Sequence, residues 1–351
     1  MRWYDPFLYP FAVLYEGVTR YRNKMFDLGK LESTSFKIPT VVVGNLNVGG
    51  SGKTPMVEFL IEMLSPQIKL TTLSRGYGRK TKGFLMADGV VGPDQIGDEP
   101  YQIFTKFRNQ VSVAVGEKRA LAIPEIIALK PKTELILLDD AFQHRYVKAD
   151  LYILLTTYQK PFFRDRIMPL GTLRENAKGV ERADVIVVTK CPKSISEKDK
   201  KEYLKEIRNF SSSPVIFAGI QYGEPIPIFQ LNTGLSRKVI LLSGIADNSL
   251  FVSEAQDRFQ VLETITFPDH HLYKTSDVAM LRRLFEKYRD CMILTTEKDA
   301  VKLKNEAFHE YLAEIPIFAL PIKINMSLKD KEFLFESITK VVKDKAYIRE
   351  I

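Results

Sequence analysis

The sequence is poor in cysteine and tryptophan and contains no long apolar run. Its two cysteines, Cys191 and Cys291, lie far apart and outside any metal-ligand spacing, which indicates a reduced cytosolic protein rather than a disulfide framework or a zinc site. No segment reaches the roughly 18 consecutive apolar residues of a membrane-spanning helix. The first residues also lack the ordered basic start, apolar core and cleavage site of a secretory signal. Internal repeats and low-complexity tracts are absent from the sequence as well.

The composition is that of an ordinary globular protein with a basic charge balance. Hydrophobic residues make up 45% and charged residues 27% of the 351 residues, which rules out a disordered or collagen-like chain. At about 150 residues per domain, this length favours two domains. Lysine and arginine exceed aspartate and glutamate by 51 − 43 = 8. The positive charge favours an anionic partner, either nucleic acid, nucleotide phosphates or an acidic membrane surface, without choosing among them.

Short β-branched runs alternate with helical stretches along the chain. Helices are expected at 55–64, at 100–107 and at 118–129, the last bent or split at Pro124, and a charged exposed helix at 193–209. The alternation predicts βαβ units, and therefore a mostly parallel sheet with helices on both faces, followed by a smaller α/β unit. The expected strands are 40–43, 69–73, 111–115, 135–138, 151–155 and 184–188, then 239–242, 261–267, 291–295 and 317–320.

The first 25 residues form an aromatic-rich segment with helical periodicity. Because Pro10 lacks an N–H and crowds the carbonyl four residues before it, the helix is expected to begin near Pro10. Glu16, Arg20 and Lys24 follow one another on one side of this helix. The pattern suits a helix lying in a membrane interface and equally one packed on its own domain. The apolar side chains on the other side are Phe11, Leu14, Tyr15, Val18, Tyr21 and Met25.

A glycine-rich loop follows the first expected strand. Segment 40–55 reads TVVVGNLNVGGSGKTP, so a strand leads through the loop to a helix with Pro55 in its first turn. Such a loop binds nucleotide phosphates at a helix N-terminus. Lys53 is expected to reach the β- and γ-phosphates and the Thr54 hydroxyl to ligate Mg²⁺. Where the usual pattern has its first glycine, this chain has Asn47, a residue that tolerates left-handed backbone. The predicted nucleotide-binding residues are Asn47, Val48, Gly49, Gly50, Ser51, Gly52, Lys53 and Thr54.

Two adjacent carboxylates, Asp139 and Asp140, end the apolar run 135–138. In P-loop proteins a carboxylate at the end of such a strand holds Mg²⁺ directly or through water. A pair of them in a chain with a P-loop favours a metal role over simple capping of the strand. The residues alone therefore predict a site for a nucleotide with Mg²⁺ and leave the phosphoryl acceptor open.

Seven short motifs together indicate a family. In chain order they are NVGGSGKTP at 47–55, SRGYG at 74–78, GDEP at 97–100, DDAFQH at 139–144, LGTLRE at 170–175, PDH at 268–270 and TEKD at 296–299. With the aromatic start of the chain, this series closely resembles the tetraacyldisaccharide 4′-kinase family. The resemblance runs from the first residues to about Pro321.

The resemblance implies transfer of a phosphoryl group from ATP, with Mg²⁺, to the 4′-hydroxyl of a tetraacylated glucosamine disaccharide 1-phosphate. This lipid A precursor would become lipid IVA. A Gram-negative source is implied, with the enzyme peripheral on the cytoplasmic face of the inner membrane. A phosphorylated lipid acceptor fits the positive charge and favours the interfacial role for the N-terminal helix. No nucleic acid and no obligate protein partner are expected.

With the resemblance, the chain divides into four expected parts. They are an amphipathic interfacial helix at 1–28, a P-loop kinase core at 29–214, a linker at 215–235 and a smaller C-terminal α/β unit at 236–351. This division places the active site in the cleft between the core and the C-terminal unit.

Asp98 and His270 are the expected proton-accepting pair. From the residues alone, Asp98 is better explained as the cap of the helix at 100–107. The resemblance instead makes Asp98 the catalytic base, working with His270. A carboxylate–imidazole pair can accept a hydroxyl proton while one partner orients the other. His271 remains an alternative, and His270 is preferred because of its place in the family motif.

The remaining candidates have more than one explanation. Lys53 and Arg174 are expected to be catalytic, whereas Arg75 and Arg119 are equally compatible with solvated surface charges. Gln143 and His144 would either orient the metal carboxylates or support the fold, and the segment 296–299 would either contact nucleotide or close a turn. The candidate metal ligands are Thr54, Asp139, Asp140 and Glu99, and the sequence does not say which carboxylate touches the metal.

Two other functions share some of these features. A P-loop GTPase that delivers metal would have the same loop, but it usually needs a Cys or His cluster, which this sequence lacks. Segment 187–190 is faintly similar to a guanine-reading sequence, yet Pro192 replaces the required aspartate. A basic nucleic-acid ATPase should carry its positive charge in one stripe, whereas acidic residues are mixed throughout this chain. The lipid kinase is therefore preferred.

Overall fold

The computed structural model describes residues 4–230, 234–288 and 290–350. Within these ranges the chain forms two sheets, one of nine strands and one of five, both covered by helices. The larger sheet is mostly parallel, and a helix covers most of the N-terminal segment. The expected α/β class is therefore confirmed.

The larger sheet places the P-loop strand at its centre. Its seven inner strands run parallel, and one antiparallel strand pairs with each edge. The strand order is β14-β8-β7-β6-β1-β5-β2-β4-β3. In a parallel sheet the loops that follow the carboxyl ends of the central strands meet at one edge, which is where ligands bind. The strands are β1 Thr40–Asn45, β2 Leu70–Ser74, β3 Leu85–Met86, β4 Val111–Val115, β5 Leu135–Asp139, β6 Leu151–Thr157, β7 Val185–Cys191, β8 Val215–Tyr222 and β14 Ile322–Asn325.

Helices cover both faces of the larger sheet because successive strand residues point to opposite sides. Val41 and Val43 of β1 pack with α2, α4 and α11, whereas Val42 packs on the other face with α5 and α6. Pro124 lies inside α5, which continues through it, so the expected split does not occur. The helices of this part are α1 Asp5–Asp27, α2 Lys53–Leu64, α3 Pro93–Ile96, α4 Asp98–Lys106, α5 Arg119–Leu129, α6 Glu197–Arg208 and α11 Leu328–Glu350, with 3₁₀ turns at Phe162–Arg164 and Ala177–Arg182.

Helix α1 begins at Asp5 and includes Pro10, which corrects the expected start near Pro10. The ring of Pro10 removes one backbone hydrogen bond, the one to the carbonyl of Pro6, while its fixed φ is already helical. Both prolines are exposed, so this early turn accommodates the loss at the protein surface. None of the helices in the described residues combines the length and apolar character that crossing a membrane requires.

The smaller unit is a five-stranded sheet with its own two hydrophobic clusters, one on each face. Its strand order is β11-β10-β12-β13-β9, parallel except for β9. The strands are β9 Ile226–Pro227, β10 Lys238–Ser243, β11 Gln260–Thr266, β12 Cys291–Thr296 and β13 Ile317–Leu320, and the helices are α7 Ser249–Arg258, α8 Thr275–Lys287, α9 Glu297–Leu303 and α10 Glu306–Leu312.

The boundaries between the two units differ from the expected ones. Strand β8, expected in a linker at 215–235, pairs with β7 in the larger sheet. Strand β14 and helix α11, expected in the C-terminal unit at 236–351, return to the larger sheet, where Ile324, Leu334 and Ile338 join its core. The boundaries differ because β8 pairs with β14. The turn-rich sequence around these strands gives no indication of that pairing. The smaller unit is thus inserted between β8 and β14.

Two glycines hold the start of α4 against the 74–78 turn. Gly97 has φ +92°, and a Cβ there would lie 2.8 Å from the carbonyl oxygen of Tyr77. Gly76 has φ +70°, and a Cβ there would lie 2.8 Å from the carbonyl oxygen of Ile96. Only glycine fits both the backbone conformation and the space. This close approach fixes Asp98 and Tyr77 relative to each other.

We expect Gly97→Ala to destabilise the protein by about 1–3 kcal/mol, since it adds a clash to a left-handed backbone position. Because the start of α4 must shift, the transfer activity expected from the sequence should fall as well. Gly89→Ala is the matched control, since its Cβ meets no atom within 4 Å. Urea unfolding of both variants measures the difference, and equal midpoints would contradict this account of Gly97.

Candidate active site

The glycine-rich loop connects β1 to α2 in the arrangement expected of a P-loop. Gly52 caps the helix with φ +82°, and Lys53 is the first helical residue, so the free N–H groups of α2 face the loop. The hydroxyl of Thr189 on β7 donates to the carbonyl of Ser51 over 2.8 Å. The N–H of Val48 donates to the carbonyl of Thr172 over 2.7 Å. The loop is therefore held from two sides at the centre of the sheet.

Asn47 contributes to this site through its side chain rather than through its backbone. It is not among the residues with positive φ, so the left-handed conformation considered from the sequence is not used. Its amide instead donates to Asp165 over 2.7 Å, and Asp165 also accepts from the Thr172 hydroxyl. Asn47 thereby ties the P-loop to the 165–174 segment, which carries Arg174.

Asp140 lies at the centre of a cationic cluster. Arg174 places Nη1 2.9 and 3.1 Å from its two carboxylate oxygens, and Lys53 places Nζ 3.5 Å away. Lys53 also donates to the side chain of Asn45 over 3.0 Å. Burial would raise the pKa of Asp140, but Lys53 and Arg174 outweigh it and lower that pKa. Three residues predicted from separate motifs therefore meet here.

Asp139, in contrast, is buried, and the cations near it do not offset the effect of burial on its pKa. Its Oδ1 has no hydrogen-bond partner, and burial, followed by the charges of Glu99 and Asp140, raises its pKa to about 7. Across the described residues, the structure groups no three His, Cys, Asp or Glu side chains as a ready metal site. Mg²⁺ commonly uses only one or two protein carboxylates and takes its other ligands from phosphates and water. The unpaired, buried Asp139 fits that requirement better than Asp140.

Asp98 does not cap helix α4. The helix begins at Asp98 after Gly97, and no side chain makes a capping hydrogen bond there. The Asp98 carboxylate instead lies 3.7 Å from Lys302 of the smaller unit, and Glu99 lies 3.2 Å from Lys298. Burial raises the pKa of Asp98, an effect that Lys302, Lys298 and His270 partly offset. The capping explanation is thus not supported, and both carboxylates face the smaller unit.

His270 and His271 have different surroundings. His271 stacks on Phe267 and bonds to Asp277 over 2.9 Å, within its own unit. His270 has φ +59° and places its ring 4.9 Å from that of Tyr77 in the larger unit, with Nε2 3.3 Å from Lys298. Burial and the charge of Lys298 lower the pKa of His270, which favours its neutral form. Only His270 faces the start of α4.

The other candidates separate into supporting and surface residues. Gln143 bonds to the backbone of Asn45 and to Glu175, which indicates structural support. Arg119 is buried, and its burial lowers its pKa to about 10, whereas Arg75 is exposed. Burial, with Arg119, Arg22 and Arg75 nearby, lowers the pKa of His144 to about 4. These arginines form a positive region next to the strand-end carboxylates.

Sequence reasoning missed three lysines at the contact between the units. Lys298 and Lys302 of α9 reach the acidic start of α4. Lys190, with φ +56°, pairs with Asp247 of the smaller unit over 3.5 Å and lies beside Gly50 of the P-loop. The TEKD motif contains Lys298, and Lys302 follows it by one helical turn. Because residues four apart share a helix face, this spacing was the available clue.

Helix α1 is joined to the same site by polar contacts. Tyr15 donates to the carbonyl of Arg174 over 2.9 Å, and Asn23 donates to Glu175 over 2.7 Å. Arg22 donates to the carbonyl of Gln143 over 3.2 Å. One side of α1 therefore packs on its own domain, next to the arginine that pairs with Asp140.

A P-loop, a lysine on a strand-end carboxylate and a second acidic centre on a facing helix define a nucleotide-dependent phosphotransferase. The comparisons agree and are more specific. The family model described as tetraacyldisaccharide-1-P 4′-kinase matches residues 4–343. The chain belongs to this kinase family, whose members phosphorylate an alcohol acceptor.

Individual relatives show how complete the similarity is. The chain is 41% identical to a tetraacyldisaccharide 4′-kinase of Flavobacterium psychrophilum, over 93% of this chain and 94% of the relative. It is also 41% identical to one of Bacteroides fragilis, over 91% and 88%. The crystal structure of the "apo" form of LpxK from Aquifex aeolicus in complex with ATP matches with a TM-score of 0.73 and 30% identity, over 95% and 98% of the two chains.

We expect Asn47→Gly to weaken nucleotide binding, although it restores the usual P-loop glycine. The substitution removes the tie to Asp165 and frees the loop, so the Kd for nucleotide should rise by about tenfold or more, since a hydrogen bond to a charged group contributes roughly 1.5–3 kcal/mol. Calorimetric titration measures this change. Asp165→Asn, which weakens the same tie from its other end, should raise the Kd similarly. Tighter binding by the glycine variant would contradict this role of Asn47.

Proposed function

We propose that this chain transfers the γ-phosphoryl group of ATP to the 4′-hydroxyl of a tetraacylated glucosamine disaccharide 1-phosphate and so forms lipid IVA. The observation that carries the proposal is that two half-sites adjoin. Lys53 of the P-loop pairs with Asp140, and Asp98 interacts with His270 across the contact between the units. The charge of Glu99, next to Asp98, acts on Asp139, next to Asp140, which links the two halves. The names of the relatives supply the acceptor, and the ATP-bound structure supplies the donor.

In the proposed chemistry, Asp98 accepts the proton of the acceptor hydroxyl as this oxygen attacks the γ-phosphorus. His270 faces the same helix start and is kept neutral by burial and Lys298, so it can orient the carboxylate or share the proton. Lys53 and Arg174, now paired with Asp140, are the cations available to the transferring phosphoryl oxygens. The bridging oxygen leaves with ADP.

Mg²⁺ is proposed to bind beside the P-loop. Asp139, with its unpaired buried oxygen, is the best protein ligand, and Thr54 in the first turn of α2 is the second. Asp140 pairs with Arg174, and Glu99 pairs with Lys298. These two carboxylates are therefore proposed to lie near the ion without coordinating it directly. When bound, the ion would neutralise charge on the β- and γ-phosphates.

The acceptor carries a phosphate, and the positive region near the strand-end carboxylates suits it. His144 of the DDAFQH motif lies close enough to three arginines for their charges to lower its pKa; they are Arg22, Arg75 and Arg119. Arg22 belongs to α1, so the N-terminal helix contributes directly to this region. The net charge of +8 adds a general attraction to anionic lipid.

The exposed side of α1 is proposed to lie in the membrane interface, on the cytoplasmic face of a Gram-negative inner membrane. Phe7, Phe11 and Leu14 expose 72%, 63% and 66% of their surface, at helical spacing. The opposite side holds the polar ties to 143–145 and 174–176. An apolar stripe on a helix docked by its polar side is typical of interfacial attachment.

We expect Asp98→Asn to lower the transfer of ³²P from ATP to a tetraacyldisaccharide 1-phosphate by about 10²–10⁴-fold, the usual contribution of a general base. Lys53→Ala should cost about 10²-fold or more through lost phosphate stabilisation. His270→Ala should lower kcat much more than His271→Ala, the matched control, because His271 bonds within its own unit. Near-normal turnover by the Asp98 variant would remove it from catalysis.

We expect the triple variant Phe7→Ser, Phe11→Ser, Leu14→Ser to lose membrane binding by about tenfold or more, given roughly 2 kcal/mol for each large apolar side chain. Flotation with vesicles of mixed zwitterionic and anionic lipid measures the bound fraction. The matched control is Val90→Ser, Leu121→Ser, Leu129→Ser, which removes exposed apolar residues elsewhere. Equal flotation of the two triple variants would exclude α1 as the attachment site.

A further inference from the structure

Helix α9 carries most of the TEKD motif, and hydrogen bonds at its first turn fix its position in the smaller unit. The Thr296 hydroxyl caps the helix by accepting from the N–H of Asp299 over 3.2 Å. The Asp299 side chain is fully buried and accepts from the N–H of Gly244 over 2.9 Å. These bonds anchor α9 to the end of β10. Lys298 and Lys302, four residues apart, consequently leave the same face of a rigid helix.

Lys298 joins three groups that belong to two units. Its Nζ lies 3.2 Å from Glu99 of the larger unit, and 3.5 and 3.3 Å from Asp269 and the ring of His270 in the smaller unit. The lysine is thus the shared partner of the α4 start and of the loop that carries His270. Its Nζ lies closer to Nε2 of His270, at 3.3 Å, than the Asp269 carboxylate does, at 3.7 Å.

Lys302 is an unusual core residue. It is 6% exposed, its Nζ makes no hydrogen bond, and its carboxylate partners are Asp98 at 3.7 Å and Asp299 at 3.5 Å. A buried ion pair adds little net stability compared with a well-packed apolar residue, so packing alone does not account for a lysine here. The presence of a lysine is explained by its contact with Asp98 in the other unit, which an apolar side chain could not make.

We propose that Lys298 and Lys302 are positioning residues for phosphoryl transfer: they hold α9 against the acidic start of α4 and so set His270 beside Asp98. The proposal rests on the roles proposed above for Asp98 and His270. Without the two ammonium groups, the carboxylates of Asp98 and Glu99 would repel those of Asp269 and Asp299 across the contact. The two lysines make this contact attractive, and the TEKD motif supplies the helix that presents them.

The first test is steady-state lipid kinase kinetics on the full-length chain with Lys298→Gln. We expect kcat to fall by about tenfold or more, since small misplacement of a catalytic group is costly, while KM for ATP stays within about twofold. Lys298→Arg should retain most of the rate. Loss of affinity for ATP with unchanged kcat would overturn the proposal.

A double-mutant cycle separates positioning from general damage. If Lys298 acts through His270, then Lys298→Gln should lower kcat by less than about twofold once His270 is already alanine. A full further loss in that background would overturn the role. Normal turnover by the His270→Ala single variant would instead contradict the proposed role of His270 in phosphoryl transfer. That outcome is distinguishable from a failure of the role proposed for Lys298.

The same cycle applies to Lys302→Met with Asp98→Asn. We expect Lys302→Met to lower kcat in the normal background and to have little effect once Asp98 is asparagine. Lys304→Met, an exposed lysine just after α9, is the matched control and should leave kcat unchanged. Should Lys302→Met fail to fold, Lys302→Arg tests the same point, because it keeps the charge and should keep the rate. An equal loss from Lys302→Met, or Lys302→Arg if used, in both backgrounds would overturn the proposal.

Discussion

The mutual repulsion of four carboxylates at one edge of the larger sheet is the constraint on which the site depends. Asp139 and Asp140 end β5, and Asp98 and Glu99 begin the facing helix α4. All four are at least partly withdrawn from water, so each needs a cation nearby. Lys53 and Arg174 serve Asp140, and the smaller unit serves Asp98 and Glu99 through α9. Among the described residues Asp139 forms no ion pair and its pKa is raised to about 7, which is the condition that suits a divalent ion.

Much of the fold was predictable because its signals are local. The buried parallel strands read as continuous apolar runs, and the loop between β1 and α2 carries its glycines in sequence. The long-range pairing of β8 with β14 was not predictable in the same way. Those strands lie a hundred residues apart and are only partly buried, and β14 is a four-residue strand in which apolar and polar residues alternate. The division of the chain into units therefore differed most from expectation.

The candidate site shows the same distinction. Lys53, Asp139 and Asp140 followed from the physics of phosphate loops and strand ends, whereas Asp98 and His270 came from the family resemblance. From its residues alone, Asp98 had a good explanation as a helix cap, and the structure leaves that explanation without a hydrogen bond. Lys302 was hidden because its partner lies in another unit: its spacing from Lys298 indicates a shared helix face but does not reveal the contact with Asp98. Charges that pair across units need the folded chain to be recognised.

The insertion of the smaller unit between β8 and β14 has a consequence for biosynthesis. The face of the larger sheet that packs on the P-loop helix is completed by Ile324, Leu334 and Ile338, which follow the inserted unit in the chain. A chain emerging from the ribosome exposes that apolar face until the inserted unit, β14 and α11 have been translated, although chains normally fold from the N-terminal side first. The core beneath the P-loop helix is therefore completed only once β14 and α11 have been made, and a chain that stops before β14 would leave this apolar face exposed to solvent.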